Sequence, residues 1–143
     1  MDPFSITFWQ AVGMAMLCGG VIGIERELSD KPAGIRTSSL VCLGAMLFVK
    51  MGVLIDGPSG DPARILGQVI TGIGFLGAGV MFARGKSVKG VTTASTIWVL
   101  AAIGAMIGFG YIAGAFAVTL VVLAVLTLFG LLDKWLTGHD VVD

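Results

Sequence analysis

Charge is scarce in this chain. Only 13% of its 143 residues are Asp, Glu, Lys or Arg, about half the share of a soluble domain. Histidine occurs once, at His139, and cysteine twice, at Cys18 and Cys42. So few ligands, in this arrangement, exclude a Cys/His metal motif. Both cysteines lie inside apolar runs, which excludes a disulfide framework and makes them small packing residues. A basic excess is also missing. Lys plus Arg is 9 and Asp plus Glu is 9, so nucleic acid, which is bound by basic faces, is not an expected partner. No basic stretch precedes the first apolar run, and the N-terminus reads as a first span rather than a cleaved signal peptide.

What is present is apolar. The chain is 56% hydrophobic, with a mean hydropathy of +0.97 and the length of roughly one domain. A membrane-spanning helix needs about 20 mostly apolar residues. Three such spans are expected at about 4–24, 35–55 and 62–82. From Val91 to Leu132 the chain stays apolar, and as one helix this run would reach roughly 60 Å, twice a bilayer core of about 30 Å. It must turn, and Gly108-Phe109-Gly110 is the natural place, giving spans at 91–108 and 111–132. The expected fold is an all-α integral membrane protein. It is a compact, glycine-rich bundle of five transmembrane helices, one domain over 1–143 with no soluble domain. The connections carry turn and cap residues: Ser29-Asp30-Lys31-Pro32, Gly57-Pro58-Ser59-Gly60, and Asp61-Pro62, an acid at the N-cap before a proline at the first helical position.

If the spans alternate, Arg26, Lys31, Arg36, Arg84, Lys86, Lys89 and Lys134 fall on one side, and only Lys50 and Arg64 on the other. The positive-inside rule then puts the N-terminus outside and the C-terminus in the cytoplasm.

Glycine is 22 of the 143 residues. Gly19 and Gly23, Gly104 and Gly108, and Gly110 and Gly114 are each four apart, and Gly72, Gly74 and Gly77 lie in span three. In lipid, small-xxx-small faces supply much of the helix packing. They suit packing within one chain, and their abundance suggests a homo-oligomer, a dimer by expectation. Gly72 to Gly77 spells G-x-G-x-x-G, but it follows no strand and sits mid-membrane. The run from Gly79 through Arg84-Gly85-Lys86-Ser87 nearly spells a P-loop, but its first glycine is one residue too far away. Neither has the βαβ context of a nucleotide site.

Two polar groupings stand out. Asp61, Arg64, Gln68 and Thr71 recur at three, four and three residues, a helix spacing that puts them on one face. Polar groups at depth usually face the bundle or a water cavity. The structural alternative is that Asp61 caps, Arg64 snorkels, and Gln68 and Thr71 bond neighbouring helices. At the other membrane surface, Glu25, Arg26, Glu27 and Arg36 gather near the ends of spans one and two, with Thr37, Thr92 and Thr93 at the same depth. Arg26 continues the Gly19/Gly23 face, so it is expected to point inward and to pair with an acid from another helix or chain. Glu25 is expected to pair with Arg36. This cluster reads either as an interfacial salt-bridge layer or as a ligand site.

These stretches resemble a known family. Gly19-Gly-Val-Ile-Gly-Ile-Glu-Arg-Glu27, Ala33-Gly-Ile-Arg-Thr37, Asp61-Pro-Ala-Arg64, Gly72-Ile-Gly-Phe-Leu-Gly-Ala-Gly79 and Gly90-Val-Thr-Thr-Ala94 together are similar to the MgtC/SapB family of bacterial membrane proteins. The motifs come in the family's order over nearly the whole chain. The resemblance implies a bacterial inner-membrane protein linked to adaptation to low magnesium, to survival inside host cells, and to modulation of ATP synthase or membrane potential. It carries over to Glu25, Arg26, Glu27, Arg36, Asp61 and Arg64. Two departures stand out. Many members continue into a soluble C-terminal domain, whereas this chain stops at Asp143. The Gly90-Val-Thr-Thr-Ala-Ser stretch is also a variant of the family's more usual form.

The favoured reading is a non-enzymatic protein of ion (magnesium) homeostasis and stress adaptation that binds a membrane partner, ATP synthase being one by resemblance, or a cation. It has no resident cofactor, though Mg2+ is a candidate ligand. The alternative is a small transporter or channel for protons or divalent cations, with the two polar groupings as its mouths. No nucleophile–base pair or metal motif points to an enzyme.

Overall fold

A computed structural model describes residues 5–57, 60–84 and 87–137. The chain forms α1 (Ile6–Leu28), α2 (Ile35–Asp56), α3 (Pro62–Gly79), a hairpin of β1 (Phe82–Arg84) and β2 (Ser87–Lys89), α4 (Val91–Gly108), and α5 (Ile112–Ala124). A π-helical segment, Val125–Phe129, then leads into α6 (Gly130–Thr137). The architecture is the expected all-α membrane bundle. Four helices are long and apolar enough to cross a membrane: α1, α2, α4, and the run Ile112–Leu132. The α3 helix does not reach that standard, because Arg64 and Gln68 dilute its apolar run.

The helix ends follow from local chemistry. Ser5 caps α1, its hydroxyl accepting from the Phe8 N–H. The far end of α1 closes in a Schellman turn. Lys31 N–H donates to the Arg26 carbonyl at 2.9 Å and Asp30 N–H to the Glu27 carbonyl at 3.2 Å, with Asp30 left-handed at φ 53°. The α4–α5 turn repeats the device. Tyr111 N–H reaches the Met106 carbonyl and Gly110 N–H the Ile107 carbonyl, and Gly110 takes φ 94°. Asp61 caps α3 by accepting from Ala63 N–H at 2.9 Å, with Pro62 at the first position. Span three was expected to reach residue 82. Instead α3 ends at Gly79, and Phe82 opens the antiparallel hairpin, paired with Lys89.

Glycine sets the helix order. A Cβ on Gly19 would stand 2.7 Å from both the Ser38 carbonyl oxygen and Ser39 Cα, and one on Gly23 would stand 2.6 Å from Ile35 Cα. So α1 and α2 run antiparallel, backbone against backbone. A Cβ on Gly104 would strike the Cys42 carbonyl oxygen, and one on Gly108 would lie 2.6 Å from Val49 Cβ. So α4 runs parallel to α2 on its other side, and α2 is the centre of the bundle. These two glycine pairs, expected to serve packing within or between chains, are both used within the chain. Gly77 also packs inside, its absent Cβ 3.7 Å from the Ala94 carbonyl oxygen. Gly72 and Gly74 instead have nothing within 4 Å of a built Cβ. Cys18, Ile22, Cys42, Met46, Leu100 and Ile103 are fully buried in the core between α1, α2 and α4, and both thiols are free. Buried hydroxyls turn back on their own backbone: Thr96 donates to the Thr92 carbonyl and Thr119 to that of Ala115, both at 2.8 Å.

Candidate functional site

The helix directions bring the end of α1, the start of α2, the hairpin and the start of α4 to one end of the bundle. The acid-base-acid run Glu25-Arg26-Glu27 sits there, and each member has its own role. Arg26 faces the bundle and is only 4% exposed. Its Nε donates to Glu25 Oε2 at 2.6 Å and its Nη2 to Glu25 Oε1 at 2.9 Å, a two-pronged pair between neighbours. Glu25 Oε1 also accepts from the Ser29 hydroxyl at 2.9 Å. This corrects two expectations. The acid beside Arg26 comes from its own helix, not from another helix or chain. Glu25 does not pair with Arg36, which is exposed on α2. Arg36 stays exposed, whereas in the last turn of α1 the Glu25 carboxylate, held by Ser29, reaches round to the buried guanidinium. The Arg26 Nη1 nitrogen is buried with no hydrogen-bond partner among the described residues.

Glu27 acts on α2. That helix begins at Gly34, which offers no capping side chain, and Glu27 Oε2 reaches across to accept from Ile35 N–H at 3.1 Å. A Cβ on Gly34 would stand 2.6 Å from that oxygen, so glycine makes room for the cap. The carboxylate also complements the positive end of the helix dipole. Between them, Ala33 is held left-handed at φ 63°, a conformation that costs about 1–2 kcal/mol for a residue with a Cβ. The Ser38 hydroxyl donates to the Ala33 carbonyl at 2.8 Å and fixes the loop against α2. Thr93 is buried, Thr92 is half-buried, and Thr37 is exposed. Of the basic residues assigned to this end, Lys86 lies outside the described residues.

The second grouping is at the opposite end, on α3. Asp61, Arg64, Gln68 and Thr71 share one face, and all four are exposed. The expectation was a face turned to the bundle or a water cavity, or else a cap, a snorkelling arginine and bonds to neighbouring helices; Asp61 caps α3, and Arg64 and Gln68 line an open groove between α2 and α3. The apolar positions Ile65, Val69 and Ile73, partly buried with Gly77, take the inward face instead. Thr71 donates to its own Gly67 carbonyl at 2.9 Å rather than to another helix. Arg64 pairs with Asp56 at the end of α2. The sequence reading had not matched Asp56 to Arg64. The available signal was that both flank the same short turn.

Between α2 and α3 lies an open groove of about 780 Å3. Its walls include Thr37, Gly44 and Phe48 from α2 and Gln68, Gly72 and Leu76 from α3, and Asp56 and Arg64 close one end. It exists because α3 is tied at its two ends. Ile65 packs on Gly52 of α2 near the start, and Gly77 lies against α4 near the finish. The two polar groupings thus lie towards opposite ends of the bundle, and Thr37 of the first lines the same groove as Arg64 and Gln68 of the second. Each of Glu25, Glu27, Asp56 and Asp61 already accepts a hydrogen bond from the protein itself.

Comparison with known proteins agrees with this bundle. The family described as "MgtC family" matches residues 12–135. A relative named Protein MgtC from Brucella abortus is 45% identical over 111 residues, covering 78% of this chain and 46% of the relative. Another of that name, from Salmonella typhimurium, is 43% identical over 109 residues, covering 76% of this chain and 46% of the relative. The chain thus spans about half the length of these curated relatives. No solved structure matches it.

Proposed function

The chain belongs to the MgtC family, and from that footing we propose that it is a non-enzymatic protein of magnesium homeostasis in the bacterial inner membrane, acting by contact with a membrane partner. The observation that carries the reading is the outward polar face of α3. Arg64 and Gln68 line a groove that is open at the surface of the bundle, and Thr71 is exposed beside them. A conducting path would want such groups in the interior, whereas a binding surface wants them outside. Intramembrane polar groups are costly when they face lipid alone, so a partner that covers them gains hydrogen bonds there. The engagement of Glu25, Glu27, Asp56 and Asp61 within the protein supports a protein partner over a bound cation. By the positive-inside distribution, the end carrying Glu25, Arg26 and the hairpin faces the cytoplasm.

The test is a flux assay on purified protein in liposomes loaded with a magnesium or proton indicator, run beside low-magnesium growth of cells that depend on the chain. The reading expects liposome flux equal to protein-free vesicles, with growth restored by the wild type. Saturable magnesium or proton flux from the purified chain would overturn it in favour of the transporter.

A further inference from the structure

The groove runs along α2 from Thr37 to Asp56, about 29 Å at 1.5 Å per residue, which matches the roughly 30 Å of a bilayer core. An acyl chain from one leaflet would fill half of it, whereas a transmembrane helix would fill all of it. Gln68 lies on its wall, about 9 Å along α3 from Pro62. It is exposed and makes no hydrogen bond among the described residues. A carboxamide at that depth calls for a partner that both donates and accepts, which hydrocarbon cannot be. Gly44 and Gly72 face the groove from opposite walls, and a Cβ on either would meet no atom of another element within 4 Å among the described residues. Gly19 and Gly104 have neighbours that require glycine. Gly44 and Gly72 have none within the chain, although glycine is the weakest helix former after proline.

We propose that this groove is an interface between two copies of the chain, with α3 of each copy lying in the α2–α3 groove of the other about a twofold axis near Gln68. This deepens the partner-binding reading above and rests on it. The chemistry of the face is self-complementary, as a twofold contact requires. Gln68 of one copy donates to and accepts from Gln68 of its mate. Asp61 and Arg64 lie on the same face with opposite charges, so the axis brings the Arg64 of each copy towards the Asp61 of the other. A phospholipid would meet the Arg64 charge but not the amide.

The test uses Gly72→Cys in the full chain, reconstituted in vesicles of phosphatidylethanolamine and phosphatidylglycerol at low protein density, with mild oxidation. Cys18 and Cys42 are 0% exposed and do not compete. A covalent dimer is expected from Gly72→Cys and not from Phe116→Cys, which is 41% exposed on α5, away from the groove. Adding Gly44→Leu, which puts a bulky side chain into the groove at a position whose Cβ meets no neighbour, or Gln68→Leu, which removes the amide, should cut the dimer yield about three- to tenfold. The helical circular dichroism should be unchanged. A covalent dimer insensitive to both substitutions, or no dimer at all, would overturn the inference. So would a monomer that retains phospholipid in native mass spectrometry. Crosslinking in cells to a different membrane protein only would overturn the second-copy occupant while leaving the partner-binding reading intact. Flux from the purified chain would do the reverse, removing the function but not the dimer.

Discussion

The bundle is built on glycine contacts, and one substitution made at two places in the same helix measures how much they matter. Gly13 and Gly19 both lie within α1. Replacing either by alanine brings the same gain in helix propensity, about 1 kcal/mol, so the difference between them isolates packing. The Cβ of Ala at 13 meets nothing within 4 Å. The Cβ of Ala at 19 arrives 2.7 Å from the Ser38 carbonyl oxygen and 2.7 Å from Ser39 Cα, where optimal contacts lie at about 3.5–4.0 Å. Both obstacles are backbone atoms, so no rotamer change relieves the clash, and α1 must move off α2. Overpacking of this kind costs about 1–3 kcal/mol. Gly13→Ala should therefore be neutral or stabilising, and Gly19→Ala should fall below it by about 1–3 kcal/mol. Reversible unfolding in mixed micelles, followed by far-ultraviolet circular dichroism, measures both. Equal stability of the two variants would refute the backbone-to-backbone packing of α1 on α2.

The buried Glu25–Arg26 pair makes a second measurement. Glu25→Gln or Arg26→Gln should each cost about 3–5 kcal/mol by leaving one charge unpaired, while Arg36→Gln should stay within about 0.5 kcal/mol. A double-mutant cycle should show coupling between 25 and 26 and none between 25 and 36, and the reverse result would restore the interhelical pair. Glu27→Ala removes the cap of α2 and should cost about 0.5–2 kcal/mol, with Glu27→Gln recovering part of it. An equal loss in both would mean that charge rather than the hydrogen bond matters. For orientation, Val88→Cys in the hairpin and Tyr111→Cys at the α4–α5 turn, 59% and 68% exposed, should be labelled from opposite sides of intact inner-membrane vesicles. Labelling from one side would refute alternating spans.

The sequence made some of this legible. Apolar runs locate helices because a bilayer demands a fixed length, and Asp61-Pro62 and Gly110 mark ends because their backbone chemistry permits little else. Which way each helix faces was harder to read. When the solvent is lipid, the outer surface is as apolar as the core, so Leu40 and Phe48 on the outside look like Leu100 and Ile103 within. Only small residues mark the inner face, and even they mislead. Gly19 and Gly104 pack inside the chain, but Gly44 and Gly72 do not. The hairpin escaped notice because strands of three residues leave no periodic pattern. The Glu25–Arg26 pair was missed because adjacent residues on a helix do not normally face each other. They meet here in the last turn of α1, beside Ser29.

The outward turn of the α3 polar face follows from the same packing. Gly23 and Gly19 bring α1 against one side of α2, and Gly104 and Gly108 bring α4 against another. With its two closest approaches taken, α2 meets α3 closely near one end, where Gly52 admits Ile65 and Asp56 holds Arg64. The other end of α3 lies on α4, where the chain must return through the hairpin to start α4 at Gly90. That residue has φ 86° and a backbone so close to Val80 that no side chain fits. Tied at these two points, α3 bridges its neighbours, and its apolar stripe Ile65, Val69, Ile73 and Gly77 is the face that touches them. Arg64 and Gln68, flanking that stripe on the open groove, and Thr71 beyond them are left exposed by geometry. Among the described residues, a single copy gives these groups the Asp56 carboxylate and the helix's own Gly67 carbonyl. The carboxamide of Gln68 is the group that a second chain has most to gain by meeting.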